Sequence, residues 1–276
     1  MSENTRNFTA NQHTEIQRLQ HMLHIEDKET SYLQKLDGEE LFHLRSKIAD
    51  ALQNEHAETW EKLAKVSKFM PNFINAKIAQ DILGASITAN FTYFIPIKDA
   101  LNISSMFSIP FMADVSEHLN PSRLEPLLKE FPIDRIKKIV VEMEKRNGYY
   151  TMGNFVDYIP SDKVSIIANQ IQSEETLIRT ASFANKKHRL APIIAAFSDD
   201  RLKKLLLKGD ELKLYEEIIL IMRHIPDNEL PRYLGILISI GGSVFQNYLN
   251  ALKASEESDI QKIKKALNTM GVNIEF

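Results

Sequence analysis

The sequence predicts an all-α fold: tandem short helical hairpins stacked into an α-solenoid, a superhelical array. Three observations predict it. Glycine and proline are scarce in the 276-residue chain, at nine and ten copies. Apolar residues recur at intervals of three and four, the period of a helix with one buried face, and no stretch alternates apolar with polar residues as a half-buried strand does. The prolines stand at quasi-regular positions, most of them directly after an apolar residue or one residue beyond it.

Taken in order, residues 1–30 read as a polar N-terminal segment. Its weakly amphipathic stretch, Ile16, Leu19, Met22 and Leu23, predicts a helix that frays or folds with a partner. Residues 31–252 read as the helical-repeat domain, clearest over 60–235. Leu33, Leu36, Leu41, Leu44 and Ile48 open it, with a break near Gly38; Ile136, Ile139, Val140 and Met143 repeat the pattern, as do Leu202, Leu205 and Leu206. Residues 253–276 read as a C-terminal capping helix, with Ile260, Ile263 and Leu267 on one face and a polar face outward.

The junctions carry most information. Phe69-Met70-Pro71, Phe94-Ile95-Pro96, Leu119-Asn120-Pro121, Phe131-Pro132, Tyr158-Ile159-Pro160 and His224-Ile225-Pro226 share one form. Proline suits the first turn of a helix, where its missing N–H goes unused, and disfavours helix in the residue before it. Each junction thus predicts one helix ending and another starting almost at once. Acidic residues follow, as the positive end of a helix dipole favours. In Phe197-Ser198-Asp199-Asp200-Arg201-Leu202 serine occupies the proline position, and Ser198 or Asp199 is the expected cap. Pro71, Pro96 and Pro121 are spaced at 25 residues, and Ala64, Ala89 and Ala113 precede them at nearly matching offsets. Periods of this size mark stacked helical pairs, because one short helix cannot hide its apolar stripe alone.

Three segments carry a family resemblance: Phe131-Pro132-Ile133-Asp134-Arg135-Ile136, Ile159-Pro160-Ser161-Asp162-Lys163-Val164 and Ile225-Pro226-Asp227-Asn228-Glu229-Leu230. Over roughly residues 60–235 the chain resembles the N-terminal, intracellular superhelical domain of MgtE-type magnesium transporters. The flagellar motor-switch middle domain is built on related lines. The resemblance implies the architecture alone. No nucleotide-sensing CBS pair and no membrane domain is visible in the sequence, so magnesium gating and metal ligands are not implied.

Composition narrows the function. Apolar residues at 43% and charged residues at 26% are globular values and argue against wholesale disorder. A net charge of −3 disfavours a protein that lives on phosphate backbones, unless a local basic face exists. The chain has no cysteine, which excludes disulfides, thiolate metal sites and a cysteine nucleophile, and fits a reducing cytosol. The richest apolar stretch, Tyr233–Val244, holds Gly235, Gly241 and Gly242 and is too short to span a bilayer. No signal peptide or lipidation motif is visible.

Candidate chemistry is sparse. His21 and His24 lie three apart, as two metal ligands can, but no His-Glu-x-x-His follows, and surface histidines are the favoured reading. The paired acids, such as Glu174-Glu175 and Glu216-Glu217, point about 100° apart on a helix and read as solvated faces. Gly148 reads as a helix end with Lys145 and Arg146 behind it, and Gly241-Gly242 as close packing or a break; neither forms a phosphate loop. No catalytic residue, cofactor site or metal site is assigned. The candidate interaction surface comprises Tyr149 and Tyr150, expected to be an exposed pair of anchors, and the cations Arg179, Lys186, Lys187, His188, Arg189, Lys203 and Lys204. Arg201 and Lys208 extend the cations into one ridge if helices 174–185 and 199–208 flank a common turn. Trp60, the only tryptophan, is expected as buried packing.

The leading expectation is therefore a non-catalytic cytosolic module of bacterial origin that regulates or binds a protein partner. The second is a nucleic-acid-binding repeat protein that uses the ridge at 179–208. The third is an all-α enzyme whose site the sequence does not reveal.

Overall fold

The structure is a computed structural model that describes residues 12–23 and 25–272. The described chain is all-α, without strands. It divides into two compact units, Met1–Ile159 and Pro160–Phe276.

In the first unit α1 (Gln12–Leu23) lies against α2 (Gly38–Asn54), joined by short 3₁₀ turns. Ile16, Leu19, Leu33 and Leu41 are buried together, with Leu36, Leu44 and Ile48 packed around them. The stretch expected to fray is thus a docked helix over its described residues; residues 1–11 and His24 lie outside those described. Gly38 marks the start of α2 because Asp37 caps it: its carboxylate accepts from Glu40 N at 2.8 Å, and Glu40 Oε2 accepts from Asp37 N at 2.9 Å.

The unit continues through α3 (Ala57–Ser67), α4 (Asn72–Ile78), a π-helical turn (Ala79–Leu83), α5 (Gly84–Thr92), α6 (Ile97–Ser105), α7 (Ile109–His118), α8 (Glu125–Glu130), α9 (Ile133–Lys145) and α10 (Tyr149–Val156). Alternate helices pack in two rows: α3, α5, α7 and α9 in one, α4, α6 and α8 in the other. Ala64, Ala89 and Ala113, the small residues at matching offsets, are all buried. Their size permits close approach along the first row.

The second unit holds α11 (Ser161–Gln170), α12 (Glu174–Phe183), α13 (Ala191–Ala195), α14 (Asp199–Leu212), α15 (Tyr215–Met222), α16 (Leu230–Ile240), α17 (Gly242–Lys253) and α18 (Glu257–Thr269). Here α12, α14, α16 and α18 pack in sequence, while α11 meets α13 and α15 meets α17. Gly241 and Gly242, with φ of 63° and 55°, break the apolar run between α16 and α17 in a conformation that side chains with a Cβ rarely adopt.

The junction residues act slightly differently from expectation. Pro71, Pro96, Pro132 and Pro160 sit one residue before their helices with extended ψ, as caps rather than first-turn residues. Each proline enforces the chain reversal and hands its carbonyl to the new helix; Pro96 O, for example, accepts from Ala100 N at 2.9 Å. Ser198 caps α14 by accepting from Arg201 N at 3.3 Å.

Cations on four helices have a structural task that the sequence pattern did not disclose, and two of them, Arg135 and Arg201, are the basic residue of a junction segment. Arg135 on α9 donates to the carbonyls of Ser104, Ser105 and Phe107 at the end of α6, at 2.8–3.0 Å. Arg201 on α14 does the same for Ala168, Asn169 and Ile171 at the end of α11. Arg232 on α16 reaches Ala195 and Phe197 after α13 at 3.0 and 2.6 Å, and Lys262 on α18 reaches Arg223 and Ile225 after α15 at 2.7 and 2.6 Å. In every case a cation satisfies the orphan carbonyls of the helix three places earlier, where the helix dipole is negative.

Candidate interaction surface

Three groups of residues stand out: the cations predicted from sequence, a buried ionic centre, and an apolar edge.

The predicted cations all fall in the second unit, on α12, the turn before α13, and α14. Most are engaged locally. Arg179 donates to Glu175 Oε1 at 2.6 Å, one helical turn away. Lys187 turns back to the carbonyls of Ala181 and Ser182 at 2.5 and 2.8 Å, closing the end of α12. Arg189 donates to Ser161 Oγ at 3.2 Å. Lys204 pairs with Asp200 at 2.8 Å and Lys208 with Glu211 at 2.5 Å. Lys186 is half-buried, and Lys203 is exposed. His188 is exposed, with its ring 6.0 Å from that of His224. Helices α12 and α14 pack against each other, and much of the positive charge they carry meets a carboxylate or a helix-end carbonyl.

Tyr149 and Tyr150 belong to the first unit and are half-buried rather than exposed. Tyr149 packs beside Ala113, Met143 and Met152, and its hydroxyl donates to Asn147 Oδ1 at 2.7 Å. The Tyr150 ring lies 4.3 Å from that of His21. His21 thereby serves packing, and its sequence neighbour His24 lies outside the described residues. Among the described residues no three His, Asp or Glu side chains converge as a metal site requires.

The ionic centre was missed in the sequence. Glu15 is wholly buried, and its carboxylate accepts from Arg18 and, at 2.7 Å, from Arg45 Nε. Arg18 is itself buried, and that desolvation lowers its pKa although the Glu15 charge opposes the shift. The available signal was the position of Glu15 and Arg18, three apart, flanking Ile16 and Leu19 on the same helix.

The apolar edge lies on α3, α4 and the start of α5. More than half of the large apolar side chains left exposed among the described residues fall between Leu63 and Ile87. Phe69, at the turn between α3 and α4, is 89% exposed; Ile82 is 75% and Phe73 62% exposed. Leu63, Val66 and Ile74 are exposed as well. The buried residues here are Ala64, Ser67, Ala76 and Ala79, so small residues face inward and large ones outward. The turn that carries Phe69 is held in shape: Asn75 Nδ2 donates to the carbonyls of Ser67 and Met70 at 3.0 and 3.3 Å. The Phe69-Met70-Pro71 junction located the boundary between these helices in the sequence, but nothing there marked their large residues as outward.

No family model, curated protein or solved structure matches the chain. Among the described residues no helix is long and apolar enough to cross a membrane.

Proposed function

We propose that this chain is a non-catalytic helical-repeat module of the cytosol that works by docking, and that its docking face is the apolar edge of α3–α5. The carrying observation is the inverted pattern there: Phe69, Phe73 and Ile82 outward, Ala64, Ala76 and Ala79 inward. Exposed large apolar side chains concentrated in one place mark interaction sites rather than ordinary surface. The two-row packing and the repeated carbonyl clamps support reading the rest of the chain as a tandem-hairpin scaffold, in keeping with the superhelical resemblance. The nucleic-acid reading has less support, because Arg179, Lys187, Arg201 and Lys204 already have partners within the fold.

A photoreactive amino acid introduced at position 69 tests the reading in cells. Position 69 is expected to give discrete adducts, to protein or lipid, that the same group at exposed position 203 does not give. Equal labelling at both positions would sink the proposal.

A further inference from the structure

We infer that the α3–α4 edge docks on an anionic lipid surface. The inference rests on reading that edge as a docking face, and adds what covers it.

Charge is the first argument. From Ala57 to Leu83 the edge carries Lys62, Lys65, Lys68 and Lys77 against Glu58, Glu61 and Asp81; the acids lie at its two ends, and the stretch around Phe69 and Phe73, from Lys62 to Gln80, has none. Lys65, Lys68 and Lys77 are exposed, interleaved with Val66, Phe69, Phe73 and Ile74. Lys62 pairs with Glu58 at 2.7 Å, and both are exposed to solvent. Amphipathic surfaces of this composition bury aromatic and aliphatic groups at the headgroup boundary while lysines reach anionic headgroups.

Shape is the second argument. Phe69 projects from a turn that Asn75 pins, so it is presented as a tip rather than as the wall of a groove. Small residues inward with large apolar residues outward is the arrangement of helices that face lipid. The helices are too short to cross, which leaves shallow insertion. Trp60 lies half-buried one turn before Leu63 on α3, where a tryptophan suits the water–lipid boundary.

The other occupants fit less well. A second copy packed about a two-fold axis would join two patches that each carry Lys65, Lys68 and Lys77. A protein partner is ordinarily held in register by directional hydrogen bonds. Here Asn75, the amide beside the tip, is turned inward.

The sole tryptophan reports the event. The full chain is mixed with vesicles of phosphatidylethanolamine and phosphatidylglycerol, or of phosphatidylcholine alone, and followed by Trp60 emission and flotation. The expected result is a blue shift and flotation with the anionic vesicles, weakened by salt, and far less with phosphatidylcholine. Phe69→Ser and Phe73→Ser are each expected to reduce partitioning on the order of tenfold. Replacing Lys65, Lys68 and Lys77 by Gln should reduce it roughly fivefold per residue. Since Phe69 is solvent-exposed, Phe69→Ser should keep the wild-type circular dichroism and melting curve. Absence of flotation at low salt, or flotation undiminished in Phe69→Ser, overturns the inference. If vesicles fail while position 69 crosslinks a protein in cells, the lipid inference falls and the docking reading stands. If both fail, both fall.

Discussion

Glu15 accepts from two guanidiniums inside the first unit, and one of them, Arg18, is buried with it. Removing the carboxylate leaves a positive charge without its counter-ion in a dry setting, a change that ordinarily costs about 3–5 kcal/mol. Glu15→Ala is therefore expected to lower the urea midpoint sharply, while Lys203→Ala, on an exposed helix face, leaves it unchanged. In the second unit His224 has its pKa lowered from 6.5 by burial first, then by the charges of His188, Arg223 and Lys262, with Asp259 opposing. A histidine that is harder to protonate when folded binds more protons unfolded, so its contribution is intact above about 6.5 and is lost as pH falls below that. Melting temperatures from pH 8 to pH 5 should show this loss, and His224→Gln should shrink it. The spacing of Glu15 and Arg18 was the one local trace of the first site, set in an otherwise polar stretch, and the environment of His224 comes from residues 35 or more positions away as well as from its neighbours.

Helix ends explain why the junction motif repeats. The proline or serine starts a helix, the acidic residues suit its first turn, and the cation reaches back to a helix that ended about thirty residues earlier. Charged hydrogen bonds of this kind contribute about 1.5–3 kcal/mol. Arg201→Ala should therefore destabilise the second unit by about that amount in denaturant titrations, and Arg201→Lys should recover part of it, since one ammonium cannot span all three carbonyls as a guanidinium does. Gly209 offers a packing counterpart: a Cβ there would come within 2.3 Å of Ile218 Cδ1 and 2.5 Å of Tyr248 Oη. Gly209→Ala should cost about 1–3 kcal/mol through overpacking of α14 on α15 and α17. Much of this level was legible. The caps, the alanines at 64, 89 and 113 and the break at Gly241 follow from local rules of backbone and size. The cation's target was not, because a contact across three helices leaves no local trace.

At the scale of the molecule, each unit is a succession of helices whose neighbours are two places away, with clamps that reach three. All-α architecture was readable from periodicity alone. The outward face of α3–α5 was not, since a 3.6-residue period says which side chains share a side and not whether that side is covered. Tyr149 and Tyr150 show the converse: aromatic residues beside a glycine looked exposed, yet α10 buries them halfway against Met143 and His21. Because contacts are near neighbours, damage should stay near its origin. Hydrogen exchange on Lys262→Ala should speed up at the end of α15 and along α18, and leave the amides of α11 and α12 as they were.

The clamps also give the second unit a grain. Lys262 closes α15, Arg232 closes α13 and Arg201 closes α11, so every tie runs backward from a later helix to an earlier one. Tension applied at the C-terminal end would peel α18 first and strip the tie from α15 at once, then proceed down the chain in a staircase of small yields. Pulled from its other end, the same unit would give up α11 by breaking the bonds of Arg201, a tie of the same kind. A protein tied in this way yields one helix and one tie at a time from either end, so force is met by a series of small resistances rather than by one.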